Sequence, residues 1–243
     1  MIRSAWFAVV TVFATAWYSI RAIFGGMRKA PHGEFDAVQR GWTRALLGAS
    51  GVRVQVEGME NLPDDGGAVL VANHQSNFDI FALLFALPVS IRFVAKQELS
   101  RIPLLAQAMR SAGHVFIDRT DRRGSVRAMR AAAARMRDEG LFLGLFPEGT
   151  RSRDGRLGTF KKGSFVLAIE TGLPIVPIAL DGGWRLAKGR GIRSGEVRIR
   201  VGTPIPTEGR TVAERDQVLT EVRRSVAGLL RSLRDESGDT TPV

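Results

Sequence analysis

The residues best suited to acid–base chemistry in this sequence are His74 and Asp79, in the segment NHQSNFD (residues 73–79). Two side chains five positions apart on a regular helix point about 140° apart, so they can meet only where the backbone turns between them. Ser76 or Asn77 can cap a helix that follows, which leaves His74 in a loop and places Asp79 in the first helical turn. Asp79 would then fix the imidazole tautomer and stabilise its protonated form. The arrangement predicts that His74 acts as a general base toward a hydroxyl group.

Two other interpretations of this segment fit the same spacing. His74 can satisfy loop backbone groups while Asp79 only caps a helix. Ser76 can be a nucleophile, although its place next to a helix start suits a capping hydroxyl better. The spacing alone leaves these alternatives open.

A second candidate is Arg119, which ends the segment GHVFIDR (residues 113–119). The apolar residues predict a strand that delivers Arg119 at its carboxyl end. A guanidinium in that place can bind a phosphate through two hydrogen bonds. A strand-end arginine is also commonly a solvated surface residue, so this motif alone is weak.

A third candidate is the segment FPEGTRS (residues 146–152). Its glycine, Gly149, lets backbone amides approach an anion, and Arg151 adds positive charge. Glu148 would orient neighbouring arginine or histidine groups. Basic residues also precede a predicted helix in FKKGS (residues 160–164), and a helix N-terminus favours anions. The alternative interpretation is a glycine-rich basic surface loop.

Most of these segments follow short apolar runs, which predict buried strands. Predicted helices separate most of the runs, so the sequence predicts an α/β fold with a central, largely parallel sheet flanked by helices. Ligand sites in such sheets gather beyond the carboxyl ends of the strands, where the candidate residues fall. The predicted strands are 52–56, 68–72, 92–95, 115–117, 141–145, 175–180 and 197–201, and the predicted helices are 34–47, 78–87, 103–111, 124–137, 164–171 and 212–233.

The amino-terminal segment is apolar, with no charged residue between Arg3 and Arg21. As a helix, residues 4–20 would be about 26 Å long, at the short limit for a hydrocarbon core of about 30 Å. Aromatic residues near both ends suit a membrane interface. A cleaved signal peptide and a core helix are competing interpretations. We favour an N-terminal membrane-associated helical segment that either crosses the bilayer or dips into it.

Composition excludes several classes of function. The chain has 243 residues and no cysteine, which excludes disulfides, thiolate metal sites and an acyl-cysteine intermediate. Three histidines without metal-ligand spacing predict no metal site. A net charge of +11 indicates an anionic partner. Because no motif for reading nucleic acid accompanies this charge, we expect a membrane surface or a phosphorylated substrate, and no nucleic acid.

Together, four segments resemble the 1-acylglycerol-3-phosphate (lysophosphatidic acid) acyltransferase family, the glycerophospholipid acyltransferases with the H-x4-D motif. They are NHQSNFD, GHVFIDR, FPEGTRS and PIVPIAL (residues 174–180), in the family's order. The segment VAKQEL (residues 94–99) also resembles the family's lysine-bearing stretch between the first two. The resemblance covers roughly residues 50–205, and the joint occurrence is far more specific than any one motif.

The resemblance implies transfer of a fatty acyl group to the sn-2 hydroxyl of lysophosphatidic acid, giving phosphatidic acid in phospholipid biosynthesis. The donor would be acyl-CoA or acyl carrier protein as co-substrate, with no metal or prosthetic group needed. His74 would be the catalytic base and Asp79 its orienter. The implied substrate-binding residues form a site for the acceptor phosphate. They are Lys96, Arg119, Glu148, Gly149, Thr150 and Arg151.

We therefore expect three segments in the chain. Residues 1–48 would be the membrane-associated helical segment, residues 49–233 the α/β acyltransferase domain, and residues 234–243 a disordered tail. The expected partners are the lipid bilayer, lysophosphatidic acid and the thioester donor. The expected location is the inner (cytoplasmic) membrane, with the active site facing the cytoplasm. The alternatives are an acyltransferase for another lysophospholipid or lyso-aminolipid acceptor, and a non-catalytic lipid-binding membrane protein.

Overall fold

The computed structural model describes residues 2–64, 66–118, 121–186 and 191–243. Within these ranges the α-helices are α1 Ile2–Met27, α2 His32–Ser50, α3 Asn77–Ala86, α4 Leu105–Ser111, α5 Arg122–Asp138, α6 Gly163–Thr171, α7 Gly183–Leu186 and α8 Arg215–Ser237. The strands are β1 Val52–Glu57, β2 Ala68–Ala72, β3 Ile91–Lys96, β4 Val115–Ile117, β5 Phe142–Leu145, β6 Ile175–Asp181 and β7 Gly195–Val201. Short 3-10 turns are η1 Met59–Asn61, η2 Gln97–Arg101 and η3 Val212–Glu214.

The strands form one sheet in the order β1-β7-β6-β2-β5-β3-β4. Every neighbouring pair is parallel except β6 with β7, so the predicted largely parallel α/β sheet is confirmed. The central strands β2, β5 and β6 are buried along their whole length. Because helices cover both faces of these strands, their sequences are continuous apolar runs without polar alternation.

The helices divide between the two faces of the sheet. One core contains residues of α5, α6 and α8, and the other contains residues of α2 and α3. Helix α1 packs on α2 and α4 and therefore forms an additional layer on the α2 side. Crossover helices of this kind place the carboxyl ends of β2, β5, β3 and β4 at one edge of the sheet, where the candidate residues begin.

Helix α1 is fixed to the rest of the chain along much of its length. Its Thr15 hydroxyl accepts a hydrogen bond from Trp42 at 3.1 Å, and its Ser4 hydroxyl accepts one from the Ile192 amide at 3.1 Å. Tyr18 lies so close to Gly41 that a Cβ there would be 2.6 Å from the ring. Among the described residues, α1 is the one helix that length and composition would allow to cross a membrane.

The carboxyl terminus differs from the expected disordered tail at residues 234–243. Helix α8 continues to Ser237, and Arg234 donates to the carbonyls of Thr241 and Pro242 at 3.0 and 2.8 Å. Arg234 is only 1% exposed and needs these acceptors. The last residues of the chain therefore supply main-chain acceptors for a buried guanidinium.

His114 connects α2 to the sheet and is neutral in the fold. Its Nδ1 accepts the Phe93 amide proton at 2.9 Å, so Nε2 carries the ring proton and donates to the Gln39 side chain at 2.9 Å. Burial, aided by the charge of Arg92, lowers the pKa of His114 to about 3. The folded state thus resists protonation of this ring.

We predict that His114 makes the free energy of unfolding fall with acidification. Its folded pKa is depressed from 6.5 to about 3, so its contribution is complete above pH 6.5 and is lost as the pH falls toward 3. The slope is at most about 1.4 kcal/mol per pH unit. Urea unfolding in detergent between pH 7 and pH 4 should show a flatter dependence for His114→Asn, whose side-chain oxygen can still accept the Phe93 amide. His32→Asn, at a surface position, is the control and should not flatten the curve. Equal slopes in wild type and His114→Asn would contradict this account.

Candidate active site

Asn73 fixes the start of the loop that follows β2. Its side-chain amide donates to the Leu180 carbonyl at 2.8 Å, and its side-chain oxygen accepts from the Leu180 amide at 2.7 Å. Leu180 belongs to β6, the neighbour of β2 in the sheet. The Asn73 side chain is only 2% exposed. Its two hydrogen bonds to Leu180 continue the pairing of β2 with β6 at the point where β2 ends, and the chain then turns toward His74.

The predicted meeting of His74 and Asp79 is confirmed. Ser76 caps α3, accepting from the Phe78 amide at 3.1 Å, so His74 lies in the loop and Asp79 in the first helical turn. Nδ1 of His74 is 2.8 Å from Oδ2 of Asp79. The same oxygen accepts the amides of Gln75 and Ser76 at 2.5 and 2.7 Å. Asp79 therefore caps the helix and orients the imidazole at once, and the Ser76 hydroxyl is committed to the cap.

These contacts determine which nitrogen of His74 can do chemistry. Asp79 is fully buried and its carboxylate only accepts, so Nδ1 of His74 donates and Nε2 has a free lone pair. The ring stacks on Phe146 with centroids 4.0 Å apart and planes 17° apart. Nε2 makes no hydrogen bond to any described residue, and the side chain is 14% exposed. The ring is thus held from two sides with its basic nitrogen open to a substrate.

Glu148 braces the backbone around His74. Its Oε1 accepts the His74 amide at 2.8 Å and its Oε2 accepts the Gly158 amide at 3.0 Å. The His74 carbonyl in turn accepts the Ser152 amide at 2.8 Å. Burial raises the pKa of the Glu148 carboxyl, while the two amide bonds act in the opposite direction. Glu148 therefore contacts the main chain of His74 and not its imidazole.

The loop after β5 reaches the same place through Gly149 and Arg151. Gly149 closes a turn on the Phe146 carbonyl at 3.0 Å and has φ 71°, a conformation that favours glycine. A Cβ there would also lie 2.7 Å from the ammonium of Lys161. Arg151 is exposed and donates to the Asn77 side chain at 3.0 Å, and Thr150 is also exposed. Two cations therefore lie beside the turn, next to the helix that carries Asp79.

Gly183 is a site residue that the motifs in the sequence did not predict. It begins α7, separated by one residue from the end of β6. A Cβ there would lie 2.4 Å from Oδ1 of Asp79 and 2.9 Å from the Ser76 hydroxyl. Next to it, the Trp184 amide approaches the side-chain oxygen of Gln75 at 3.5 Å. The sequence does show two adjacent glycines, Gly182 and Gly183, after a predicted strand. Relating them to Asp79 requires knowing that β6 lies beside β2 in the sheet, and the sequence alone did not give that order.

The remaining predicted phosphate ligands are less closely placed. Lys96 ends β3 at the same edge of the sheet, two strands from β2, and is exposed. It makes no hydrogen bond or ion pair within the described part of the chain. Arg119 lies outside the described residues, two positions after β4 ends at Ile117. No group of three or more metal-ligating side chains occurs in the described ranges.

Comparisons with known proteins agree with this geometry. A family model described as "Acyltransferase" matches residues 53–181. The chain is 41% identical over 157 residues to the chloroplastic 1-acyl-sn-glycerol-3-phosphate acyltransferase LPAT1 of Arabidopsis thaliana, covering 63% of this chain and 44% of that one. It is 34% identical to the human 1-acyl-sn-glycerol-3-phosphate acyltransferase alpha, covering 75% and 65% of the two chains. It is 33% identical to the Limnanthes douglasii enzyme of the same name, covering 86% and 75%.

A solved structure gives the same result. The crystal structure of PlsC, the 1-acyl-sn-glycerophosphate (LPA) acyltransferase of Thermotoga maritima, superposes with a TM-score of 0.83 at 28% identity, covering 96% of this chain and 95% of that chain. Against the Arabidopsis and human relatives, the chain spans only 44% and 65% of their length. The matched region contains His74, Asp79, Glu148 and Arg151 together with the strands that hold them. The chain belongs to the acyltransferase family.

Proposed function

We propose that this chain transfers a fatty acyl group from a thioester donor to the sn-2 hydroxyl of lysophosphatidic acid, giving phosphatidic acid. The observation that carries the proposal is the imidazole of His74, which has Nδ1 fixed by Asp79 and Nε2 open. A base in this state suits removal of a proton from a hydroxyl that attacks an acyl carbonyl. The donor would be acyl-CoA or acyl carrier protein, both of which present the acyl group as a thioester.

A glycerophosphate acceptor is supported by the charge around the base. Arg151 and Lys161 lie beside the turn at Gly149, and an arginine there can bind a phosphate through two hydrogen bonds. Lys96 and Arg119 would add positive charge from the neighbouring strands. The relatives in the comparisons bear the name of the reaction with this acceptor. The phosphate would thereby position the free hydroxyl of the same molecule near Nε2 of His74.

The reaction would proceed by direct transfer. Nε2 of His74 takes the hydroxyl proton as the oxygen forms its bond to the thioester carbonyl, and Asp79 stabilises the resulting imidazolium. The tetrahedral intermediate then collapses, the carbon–sulfur bond breaks, and the imidazolium returns the proton to the departing thiolate. Holding the two substrates together can contribute about 7–11 kcal/mol to lowering the barrier. Every bond and proton is accounted for without an acyl-enzyme.

We further propose that α1 lies in the plane of the membrane interface. Its outward side carries large apolar residues at helical spacing, while its inner side contacts the chain from Ser4 to Gly26. A helix held flat against a domain over this length suits partial burial in one leaflet better than a crossing. The outward residues are Ile2, Trp6, Val9, Val12, Phe13, Trp17, Ile20, Phe24 and Met27.

This placement would bring the base to the lipid surface. The inner side of α1 presents Phe7, whose ring centroid is 5.9 Å from that of Phe78, the residue before Asp79. An acceptor whose own acyl chain stays in the bilayer could then present its headgroup to His74. A thioester donor made in the cytoplasm would require the cytoplasmic side of the inner membrane.

We predict that the enzyme forms phosphatidic acid from lysophosphatidic acid and labelled acyl-CoA or acyl carrier protein in detergent micelles. Replacing His74 with alanine should lower kcat by about 10²–10⁴, the usual loss with a general base. His32→Ala, a surface histidine, is the matched control and should retain wild-type turnover.

A panel of lyso-acceptors separates the two parts of this proposal. Preference for a different lysophospholipid or a lyso-aminolipid would show that the acceptor is wrong. Near-wild-type turnover in a folded His74→Ala protein would show that the mechanism is wrong.

We also predict that Arg151→Ala raises the KM for lysophosphatidic acid more than the KM for the thioester, because its guanidinium is expected at the acceptor phosphate. Loss of a charge-assisted hydrogen bond of about 1.5–3 kcal/mol corresponds to roughly a tenfold to hundredfold effect. Arg156→Ala is the control in the same loop, where the guanidinium pairs with Asp154 at 3.7 Å. A rise confined to the donor KM would assign this loop to the wrong substrate.

A further inference from the structure

A second apolar surface lies in the segment between η2 and α4. Leu99, Ile102 and Leu104 are 37%, 43% and 45% exposed. Among the described residues outside α1, only Met59 and Val212 are also large, apolar and exposed. Single exposed apolar residues are normal on a soluble surface, but three within six positions form a patch. Residues 99–104 are called the 99–104 segment below.

The backbone holds this patch outward at a conformational cost. Leu104 has φ 60° and ψ −55°, and the Leu105 amide bonds to the Pro103 carbonyl at 2.6 Å. These values describe a γ-turn with positive φ at its central residue, which is the rare and strained form. Residues held in such conformations cluster where a protein binds or switches. A strained leucine whose side chain points into water contributes nothing evident to the core.

The 99–104 segment is attached to the layer that carries α1. Helix α4, which follows it directly, packs on α1, and a Cβ at Gly26 would lie 2.6 Å from the Ser111 hydroxyl. Ala108 and Ala112 share a small core with Ala22 of α1. The 99–104 segment therefore leads directly into a helix that packs on α1.

Charge around the segment matches a lipid surface. Lys96 precedes it and Arg101 lies within it, both exposed, and neither forms an ion pair with an acidic residue in the described ranges. Glu98 is also exposed, so residues 96–104 carry two positive charges and one negative charge. Apolar side chains beside a net positive charge suit an interface in which acyl chains lie beneath anionic headgroups. The segment also follows β3 at the carboxyl edge of the sheet, where the base is located.

We infer that the 99–104 segment is a second membrane-contacting element, and that its partner is the lipid bilayer itself. The inference rests on the proposal that α1 lies in the interface. One helix lying on a surface leaves the protein free to roll about the helix axis. A second contact beside α1 removes that freedom and keeps the carboxyl edge of the sheet facing the lipid.

The absence of cysteine from the chain allows a direct test. Single cysteines replace Ile102, Phe13 and Met59 in the full-length protein and are labelled with the environment-sensitive fluorophore NBD. Met59 matches Ile102 in exposure, at 44% against 43%, but it lies in η1 beside β7, at the other side of the sheet. Phe13 reports on α1. Each protein is mixed with vesicles of phosphatidylcholine and phosphatidylglycerol, with and without bromine in the acyl chains.

We expect the labels at 102 and 13 to shift to the blue, brighten severalfold and be quenched by brominated lipid, with no change at 59. A response at 13 without one at 102 would overturn the second contact and leave the α1 proposal standing. No response at any position would refute the membrane proposal and this inference together. A response at 59 equal to that at 102 would mean that no defined surface contacts the lipid. That result would also overturn the inference that the 99–104 segment is a second membrane contact.

Discussion

The site depends on one carboxylate oxygen. Oδ2 of Asp79 is fully buried and takes hydrogen bonds from the Gln75 and Ser76 amides and from the His74 ring. A buried carboxylate without hydrogen-bond donors would destabilise the fold. The turn, the helix cap and the orientation of the imidazole therefore depend on the same oxygen. Gly183 completes the constraint, because any side chain there would occupy the space of the carboxylate.

Contacts from β6, the loop after β5 and α8 hold that oxygen and its partners in place. Asn73 pins the turn to β6, and Glu148 ties the His74 backbone to the loop after β5 at Gly158. Arg234 donates to the Gly155 carbonyl at 2.6 Å and to buried Asp181 at 3.2 Å. The carboxyl-terminal helix thereby holds the loop that braces the base. Contacts from several distant elements of the fold thus fix the position of the His74 imidazole.

The sequence was sufficient for the strands, the largely parallel sheet and the turn that joins His74 to Asp79, because each depends on local apolar runs and a capping residue. It did not predict Gly183 or the main-chain role of Glu148, since both arise from neighbours in the strand order. The tail was misjudged for the same reason. Its acceptors serve Arg234, whose burial depends on packing against β6. Composition and spacing did not predict contacts between segments that are distant in the sequence.

The proposed reaction requires that His74 carry its proton on Nδ1 and leave Nε2 free. His114 provides an internal reference, because its bonds to the Phe93 amide and to Gln39 require the opposite tautomer. Long-range ¹H–¹⁵N correlation spectra of the ¹⁵N-histidine-labelled protein at about pH 8 distinguish the two, with His74→Ala and His114→Asn spectra giving the assignment. We expect an Nδ1–H ring for His74, and we expect Asp79→Asn to remove this tautomer preference. An Nε2–H ring at His74 in the wild-type protein would contradict it.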